Sequence, residues 1–338
     1  MRIVDPREAS TESRLKENRD GEPLITIAMP FFNAEQTLVA AVDSMLKQTY
    51  GNFELLLSDD GSSDRGLEIA HSFQDPRIRV FTSKQRGRLA VRLNECLDAA
   101  RGSIFARMDA DDISYPQRIE KQIRFLQERP EVDLLGTHML VFAAMYNPVG
   151  KMVGATEHEP LVRTALLGFK LFHGTWMGHI DWFRKYRYNT KCVLGQDQEL
   201  LYRAHRTSRY AVIPELLYGY RQSDLDLQKM INSRVDWFRY MSWYLPGPVG
   251  LAKRGLLAGL MLGKAGVDTI AVKTGLRYRL LRHRASPLSA SQLATWEALC
   301  NELNPADKIG APPVAGQEAH NVRAEVFSGE QQDVQLRT

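Results

Sequence analysis

Residues 24–64 read LITIAMPFFNAEQTLVAAVDSMLKQTYGNFELLLSDDGSSD, with two short apolar runs on either side of a helical pattern. Within that pattern, apolar residues from Leu38 to Met45 fall on one helix face. The alternation continues through a helix from about Asp64, the run RIRVFT, a third helix and the run SIFARM. Strand and helix thus alternate four times within about ninety residues, which predicts an α/β fold with a mostly parallel sheet flanked by helices.

The bulk composition is that of a globular, intracellular protein. Of the 338 residues, 44% are hydrophobic and 25% charged, and the net charge of +4 gives no reason to expect a nucleic-acid partner. Three cysteines, Cys96, Cys192 and Cys300, are too far apart for a disulfide framework or a zinc site. The sequence lacks a signal peptide and a run of about 18 apolar residues, so we expect a cytoplasmic protein.

Four segments are predicted along the chain. Residues 1–22 are charged and aperiodic, which indicates a mobile leader. Residues 23–222 form the predicted catalytic domain, and residues 223–304 a helical, basic extension. Residues 305–338 are expected to be a disordered tail.

Two acidic loops follow predicted strands. In ARMDADDISYPQR, residues 106–118, an extended backbone would point Asp109 and Asp111 the same way and Asp112 elsewhere. Carboxylates at this D-x-D spacing suit Mg²⁺ or Mn²⁺ completed by substrate phosphates, although a solvated helix-capping cluster is the alternative. The second loop, SDDGSSD at 58–64, also lies at the carboxyl end of a strand, where ligands bind in open α/β sheets.

The D-x-D loop is expected to lead directly into a helix. Ser114 and Gln117 have the spacing of a capping box, with Pro116 in the first turn. This pattern predicts a helix from about Tyr115 to Glu128.

The motifs PFFN, SDDGSSD, GRL and MDADD together resemble family 2 glycosyltransferases of the GT-A (Rossmann-like) fold, well over residues 24–137 and more loosely to 222. The resemblance implies inverting transfer of a sugar from a UDP-, GDP- or dTDP-sugar, with Mn²⁺ or Mg²⁺ on the diphosphate. It places Asp109 and Asp111 at the metal and donor phosphate and Arg88 near the phosphates, although GRL departs from the usual glycine-leucine. The residues it implies for the nucleoside pocket are Pro30, Phe32, Asp59 and Asp60.

Inverting transfer needs a base to accept the proton of the attacking hydroxyl. By the same resemblance Asp197 in LGQDQELL holds this position, with Gln196 in place of the usual glutamate. The alternative is a first-turn acid that favours the helix dipole. Residues with a possible acceptor-binding or supporting role are His173, Trp176, Glu199, Arg203 and Arg221, for which core packing or a structural salt bridge is the alternative.

Residues 251–284 are strongly basic, with eight Lys or Arg against one Asp. Short apolar blocks broken by cations are typical of helices on an anionic membrane surface, and helices packed on the catalytic domain are the alternative. A peripheral position on the inner face of the cell membrane would suit a lipid-linked saccharide acceptor.

The sequence therefore predicts a metal-dependent glycosyltransferase of polysaccharide biosynthesis, acting on a glycan or lipid-linked acceptor. Two other functions remain open. A nucleotidyltransferase would also use paired carboxylates and a metal, but it needs no base at Asp197. A catalytically silent nucleotide-sugar-binding scaffold would account for Gln196 and the GRL departure.

Overall fold

The computed structural model describes residues 22–222, 227–274 and 285–303. Almost all of the predicted leader, the predicted tail at 305–338 and residues 275–284 of the basic stretch lie outside these ranges. The strands are β1 (Ile25–Phe31), β2 (Phe53–Asp59), β3 (Ile78–Thr82), β4 (Ile104–Arg107), β5 (Ile113–Ser114), β6 (Leu134–Phe142), β7 (Pro148–Met152), β8 (Met177–His179) and β9 (Tyr210–Arg221). The α-helices are α1 (Leu38–Leu46), α2 (Gly66–Ser72), α3 (Arg88–Ala99), α4 (Arg118–Glu128), α5 (His158–Val162), α6 (Ile180–Tyr186), α7 (Gln196–Ala204), α8 (Leu227–Tyr244), α9 (Gly247–Lys273) and α10 (Ala290–Glu302).

The described strands form one sheet in the order β3-β2-β1-β4-β8-β6-β9-β5, with β7 paired to β6. The pairs β3-β2, β2-β1 and β1-β4 are parallel, as are β6 and β9, whereas β8 and β5 join the sheet antiparallel. The α/β fold and mostly parallel sheet predicted from residues 24–107 are thus confirmed. Because β1, β2 and β4 run in the same direction, their carboxyl ends meet at one edge, where PFFN, SDDGSSD and MDADD begin.

Helices cover both faces of the sheet, as the alternation of side chains in β1 and β2 requires. Ile27 and Leu55 belong to the core shared with α1 and α4, while Ala28 and Leu56 face the core shared with α3, α6 and α7. The uninterrupted burial of both strands explains why they read as continuous apolar runs.

The predicted capping box after the D-x-D loop is wrong. Ser114 lies in β5, paired with Tyr218 of β9, and α4 begins only at Arg118 without a side-chain cap. Gln48 of the distant α1–β2 connection instead accepts a hydrogen bond from the Ile119 N–H at 3.0 Å. A tertiary contact therefore satisfies a helix-terminal donor that the local pattern assigned to Ser114.

After β9, the chain turns to helices. Helix α8 packs on α9, and an ion pair joins Arg234 to Asp268 between them. Residues 285–303 return to the sheet, where Trp296 of α10 lies against Phe142 and donates a hydrogen bond to the Tyr146 carbonyl at 2.8 Å. Within the described ranges, every helix is too short or too polar to cross a bilayer.

Candidate active site

Two adjoining cavities open at the carboxyl ends of β1 and β4. The first, about 520 Å³, lies between the loop after β1, the D-x-D loop and Arg221; we call it the donor pocket, after the ligand expected from the sequence. The second, about 300 Å³, lies between the D-x-D loop, β9 and the start of α7; we call it the acceptor cavity on the same ground. Asp109 lines both, Asp111 lines the donor pocket, and Asp197 lines the acceptor cavity. The D-x-D loop and Asp197, about ninety residues apart in the chain, thus line two adjoining cavities that share Asp109.

The Asp109 carboxylate forms an ion pair with a buried cation, Arg107. The Arg107 guanidinium, 1% exposed, lies 2.5 Å from the Asp109 carboxylate, whose side chain is 29% exposed. Burial alone would lower the pKa of Arg107, but the charge and hydrogen bond of Asp109 outweigh it and raise that pKa. The Asp109 N–H also donates to the Tyr218 hydroxyl at 3.2 Å. Asp109 therefore enters the site as an oriented, charge-compensated carboxylate.

Asp111 and Asp112 have different surroundings. The Asp111 side chain reaches solvent, yet nearby protein atoms hinder its hydration, and this together with the charge of Asp109 raises its pKa to about 6. Asp112 is fully buried and accepts a 2.6 Å hydrogen bond from the Arg221 N–H. Burial, followed by the charges of Asp109 and Asp111, raises the pKa of Asp112 well above its ordinary value. Arg221 also donates from Nε to the Asp111 carbonyl at 2.8 Å, so it braces the whole loop.

The aspartates of SDDG are buried and engaged within the protein. Asp59 accepts hydrogen bonds from the Ser62 N–H at 2.9 Å and the Thr82 hydroxyl at 3.0 Å. Asp60 accepts from the Gly87 N–H at 2.7 Å and the Arg88 N–H at 3.0 Å. Neither lines the donor pocket, so a contact of either with a nucleoside stays a prediction. Arg88 has a positive φ of 66° and an exposed side chain.

The PFFN motif forms one wall of the donor pocket through Pro30, Phe32 and Asn33. Phe32 is 37% exposed, and the Arg86 guanidinium lies 3.9 Å from its ring centroid. Asn33 accepts a 2.9 Å hydrogen bond from the Ser63 N–H, which ties this wall to the SDDG loop. An exposed ring beside a cation suits the planar base of a nucleotide, and the sequence reading did not single out Arg86.

Asp197 is half-buried in the first turn of α7, and its Oδ2 accepts a 3.1 Å hydrogen bond from the Gln198 amide. Burial raises the pKa of Asp197, against the lowering effect of Gln198. His173 lies across the same cavity, 2.9 Å from the Tyr188 hydroxyl. Burial and the positive charge of Arg107 hold the pKa of His173 well below its usual value, so this imidazole is neutral near pH 7.

Three predicted supporting residues serve the scaffold. Trp176 is fully buried, and its indole donates to the Leu171 carbonyl at 3.2 Å while its ring packs edge-on against His173. Glu199 is 0% exposed and paired with Arg203 at 3.1 Å, outside the acceptor cavity. Arg203 donates its remaining hydrogen bonds to backbone carbonyls of residues 186 and 187. These contacts correspond to the core and salt-bridge alternatives.

Strand β9 and the residue directly after it supply side chains that the sequence analysis did not predict. Tyr218, Tyr220 and Gln222 all line the acceptor cavity. Their spacing of two places them on one side of an extended strand, so the alternation in LYGYRQ was the available signal. The same spacing relates Arg107 to Asp109 and predicts their proximity.

The side chains of the D-x-D loop supply only some of the ligands that a hard divalent cation needs. No group of three or more His, Cys, Asp or Glu side chains in the described part of the chain could by itself hold a metal. Asp109 and Asp111 provide two carboxylates on one pocket, and Mg²⁺ and Mn²⁺ complete such a pair with water and substrate phosphate. Desolvation and, after it, the negative charge of Asp109 raise the pKa of Asp111, and a cation at this position would offset the effect of that charge.

The parallel sheet, with its cleft above the carboxyl ends of β1, β2 and β4, is that of GT-A glycosyltransferases. The structure of Staphylococcus aureus TarS 1–349 in complex with UDP-GlcNAc superimposes with a TM-score of 0.54 at 15% identity, over 82% of this chain and 80% of that one. At this identity the likeness concerns the fold alone.

Sequence comparison points to one family over the first part of the described chain. Residues 26–179 match the model for Glycosyl transferase family 2. The putative glycosyltransferase EpsE of Bacillus subtilis is 37% identical over 165 residues, 48% of this chain and 58% of that protein. The Escherichia coli UDP-Glc:alpha-D-GlcNAc-diphosphoundecaprenol beta-1,3-glucosyltransferase WfgD is 36% identical over 118 residues, 35% of this chain and 47% of that protein. The alignments thus span about half the length of these relatives, and over residues 26–179 the chain is similar to the glycosyltransferases of family 2.

Proposed function

We propose that the protein is an inverting, metal-dependent glycosyltransferase. The nucleoside of a nucleotide-sugar binds beside Phe32 in the donor pocket, its diphosphate lies at Asp109 and Asp111, and the acceptor hydroxyl enters the cavity at Asp197. The observation that carries this proposal is that Asp109 lines both spaces, so a sugar on the diphosphate would lie between the D-x-D loop and Asp197.

The reaction needs one proton transfer and one substitution. Asp197 accepts the proton of the acceptor hydroxyl while the hydroxyl oxygen bonds to the anomeric carbon. The bond from that carbon to the diphosphate oxygen breaks, and the nucleoside diphosphate leaves with the bonding electrons. The raised pKa of Asp197 makes it a stronger base than an ordinary carboxylate. Neutral His173 and the tyrosines of β9 position the acceptor without adding a competing charge.

Asp109 and Asp111 would hold Mn²⁺ or Mg²⁺, which would neutralise charge on the departing diphosphate. Arg107 keeps Asp109 oriented for this role. Because Asp112 is buried and bonded to the Arg221 N–H, it supports the loop and does not reach the donor pocket.

Two of the similar proteins indicate the substrate classes to expect. TarS has been crystallised with UDP and with UDP-GlcNAc, and the name of WfgD specifies UDP-Glc and a diphosphoundecaprenol-linked acceptor. By analogy, the proposal includes a nucleotide-sugar donor and a saccharide or lipid-linked acceptor in polysaccharide biosynthesis.

A cytoplasmic, peripheral membrane location is also part of the proposal. One side of α9 exposes apolar residues, among them Leu251, Leu256 and Leu262 at 64%, 61% and 74% exposure. Lys253 and Lys264 are exposed on the same helix, and its acid, Asp268, is buried and paired with Arg234. An apolar surface bordered by cations suits attachment to an anionic bilayer.

The test is incubation of purified protein with UDP-, GDP- and dTDP-sugars and Mn²⁺, followed by measurement of nucleoside diphosphate and sugar products. A glycosyltransferase releases a nucleoside diphosphate together with transferred or hydrolysed sugar. Release of pyrophosphate instead would indicate a nucleotidyltransferase, and binding without turnover over a broad acceptor panel would indicate a silent scaffold. Failure to bind any nucleotide would overturn the proposal.

A further inference from the structure

A large apolar groove lies outside the two cavities of the proposed active site. It has a volume of about 970 Å³, near the upper end of the range for small-molecule sites, roughly 300–1,000 Å³. One wall comes from α5 and the segment that follows it, including Leu161 and Leu167. The opposite wall comes from α8 and α9, including Trp237, Leu260 and Val267. We call this space the helical groove.

The helical groove reaches the proposed base. Phe169 and Gln198 line both the groove and the acceptor cavity. The Gln198 side chain accepts from the Phe169 N–H at 2.7 Å, donates to the Phe169 carbonyl at 3.3 Å, and donates to Asp197 at 3.1 Å. Phe169 and Gln198 therefore lie between the groove and the cavity, and a ligand extending along the groove would end beside Asp197.

The other end of the helical groove meets the exposed apolar side of α9. Leu260 and Val267 line the groove and are also 40% and 60% exposed to solvent. An aliphatic chain could pass from the outer surface of α9 into the groove while staying in contact with apolar side chains. Such contact is favourable because it removes apolar surface from water.

The charged residues of the groove favour an anion. Lys170 and Lys264 line the groove and are exposed, and neither has a hydrogen-bonding or ionic partner in the described ranges. Arg234 is the third cation of the lining, and the acid, Asp268, is paired with it. Lys170 directly follows Phe169, at the junction with the acceptor cavity. A phosphate group there would meet positive charge beside the proposed reaction centre.

We propose that the helical groove binds the lipid of a phosphate-linked lipid–saccharide acceptor, with the aliphatic chain between α5 and the α8–α9 pair and the phosphate at Lys170. This inference rests on the proposed function, because it assigns the acceptor class of the same site. The groove and α9 then have a common role, since the lipid leaves the bilayer at α9 and presents its sugar to Asp197.

The glycines of α9 offer a matched test. Gly259 and Gly263 line the groove, whereas Gly255 and Gly266 are exposed on the same helix and do not. A Cβ added at any of the four meets no atom within 4 Å, so leucines fit without a backbone clash. The variant G259L/G263L would fill the groove, and G255L/G266L would make the same chemical change outside it. Both exchanges improve helix propensity equally, so stability does not distinguish them.

The experiment uses the full chain and measures binding of geranylgeranyl diphosphate, with inorganic diphosphate as the probe without a tail. We expect the wild type to bind the isoprenyl probe at least about tenfold more tightly than diphosphate, because the groove buries part of the tail. G259L/G263L should lose this difference, and G255L/G266L should retain it. Equal binding of both probes by the wild type would overturn the inference, as would an equal loss in the two variants.

Binding of UDP and hydrolysis of nucleotide-sugars, measured on the same preparations, separate this inference from the proposed function. Unchanged donor turnover with no tail-dependent binding would refute the lipid groove alone. Tail-dependent binding without any donor binding would refute the glycosyltransferase proposal and leave the groove as a lipid site.

Discussion

Replacement of Asp197 by asparagine tests the assignment of the base. The side chain keeps its shape and can still place an oxygen toward the Gln198 amide, 3.1 Å from Oδ2 in the wild type. It can no longer accept a proton. Because Asp197 lines the acceptor cavity and not the donor pocket, donor affinity should stay within about twofold, a difference of roughly 0.4 kcal/mol.

The loss in turnover should be that of a missing general base, about 10²–10⁴-fold. The assay is steady-state transfer, with donor affinity measured separately by titration. Asp181→Asn is the matched control, since Asp181 is an exposed acid in the first turn of α6 and lies outside both cavities. Turnover of Asp197→Asn within about tenfold of wild type would remove Asp197 from the role of base.

The pH dependence provides an independent readout. The base works only when ionised, so kcat/KM should fall as pH drops through the pKa of Asp197. Because burial raises that pKa, the acidic limb should lie above the ordinary aspartate value of about 3.9. Asp197→Asn should lack this limb in its residual activity, and an unchanged limb would assign the titration to another group.

Four further predictions concern the D-x-D loop and helix α9. Asp111→Asn should weaken activation by Mn²⁺ at least about tenfold, whereas Asp112→Asn should not. The measurement is a Mn²⁺ titration of donor hydrolysis. Equal effects of the two variants would contradict the assignment of the metal to Asp111 and of a supporting role to Asp112. Asp112→Ala should cost about 1–3 kcal/mol in urea unfolding because the buried Arg221 N–H loses its acceptor. Asp112→Asn keeps an acceptor for that N–H. Because burial raises the pKa of Asp112 in the folded state, the stabilising contribution of Asp112 is present at low pH and is lost as pH rises through that pKa. The free energy of unfolding of Asp112→Asn should therefore increase relative to that of the wild type as pH rises. Wild-type protein should sediment with anionic vesicles, and the sedimented fraction should decrease at high salt. L256E/L262E should not sediment with the vesicles. Sedimentation that is unaffected by lipid charge, salt or this variant would refute membrane attachment through α9.

The strand–helix alternation was sufficient to predict the first half of the fold. The runs LITIAMP and FELLLS are buried along their whole length, so their apolar composition reports their structure directly. The predicted capping box failed because Ser114 is taken into β5 by pairing with β9, and Gln48 satisfies the helix instead. Such contacts depend on residues distant in sequence, which a local sequence pattern does not include.

The site shows the same difference between local and distant information. Motif spacing predicted Asp109 and Asp111, and the family resemblance predicted Asp197; the structure brings all three to two adjoining cavities. The roles of Glu199 and Arg203 depend on the packing of α7 against α8, which the sequence does not specify. Tyr218 and Arg107 were accessible through the period-two alternation of their strands, but only after those strands had been placed beside the D-x-D loop.

The most direct test of the central claim is the anomeric configuration of the first product, followed by ¹H NMR during turnover of an α-linked nucleotide-sugar. If Asp109 and Asp111 lie at the leaving group and Asp197 at the attacking hydroxyl, we expect a single displacement and a β-configured product. An α-configured initial product would contradict the placement of donor and base on opposite sides of the sugar.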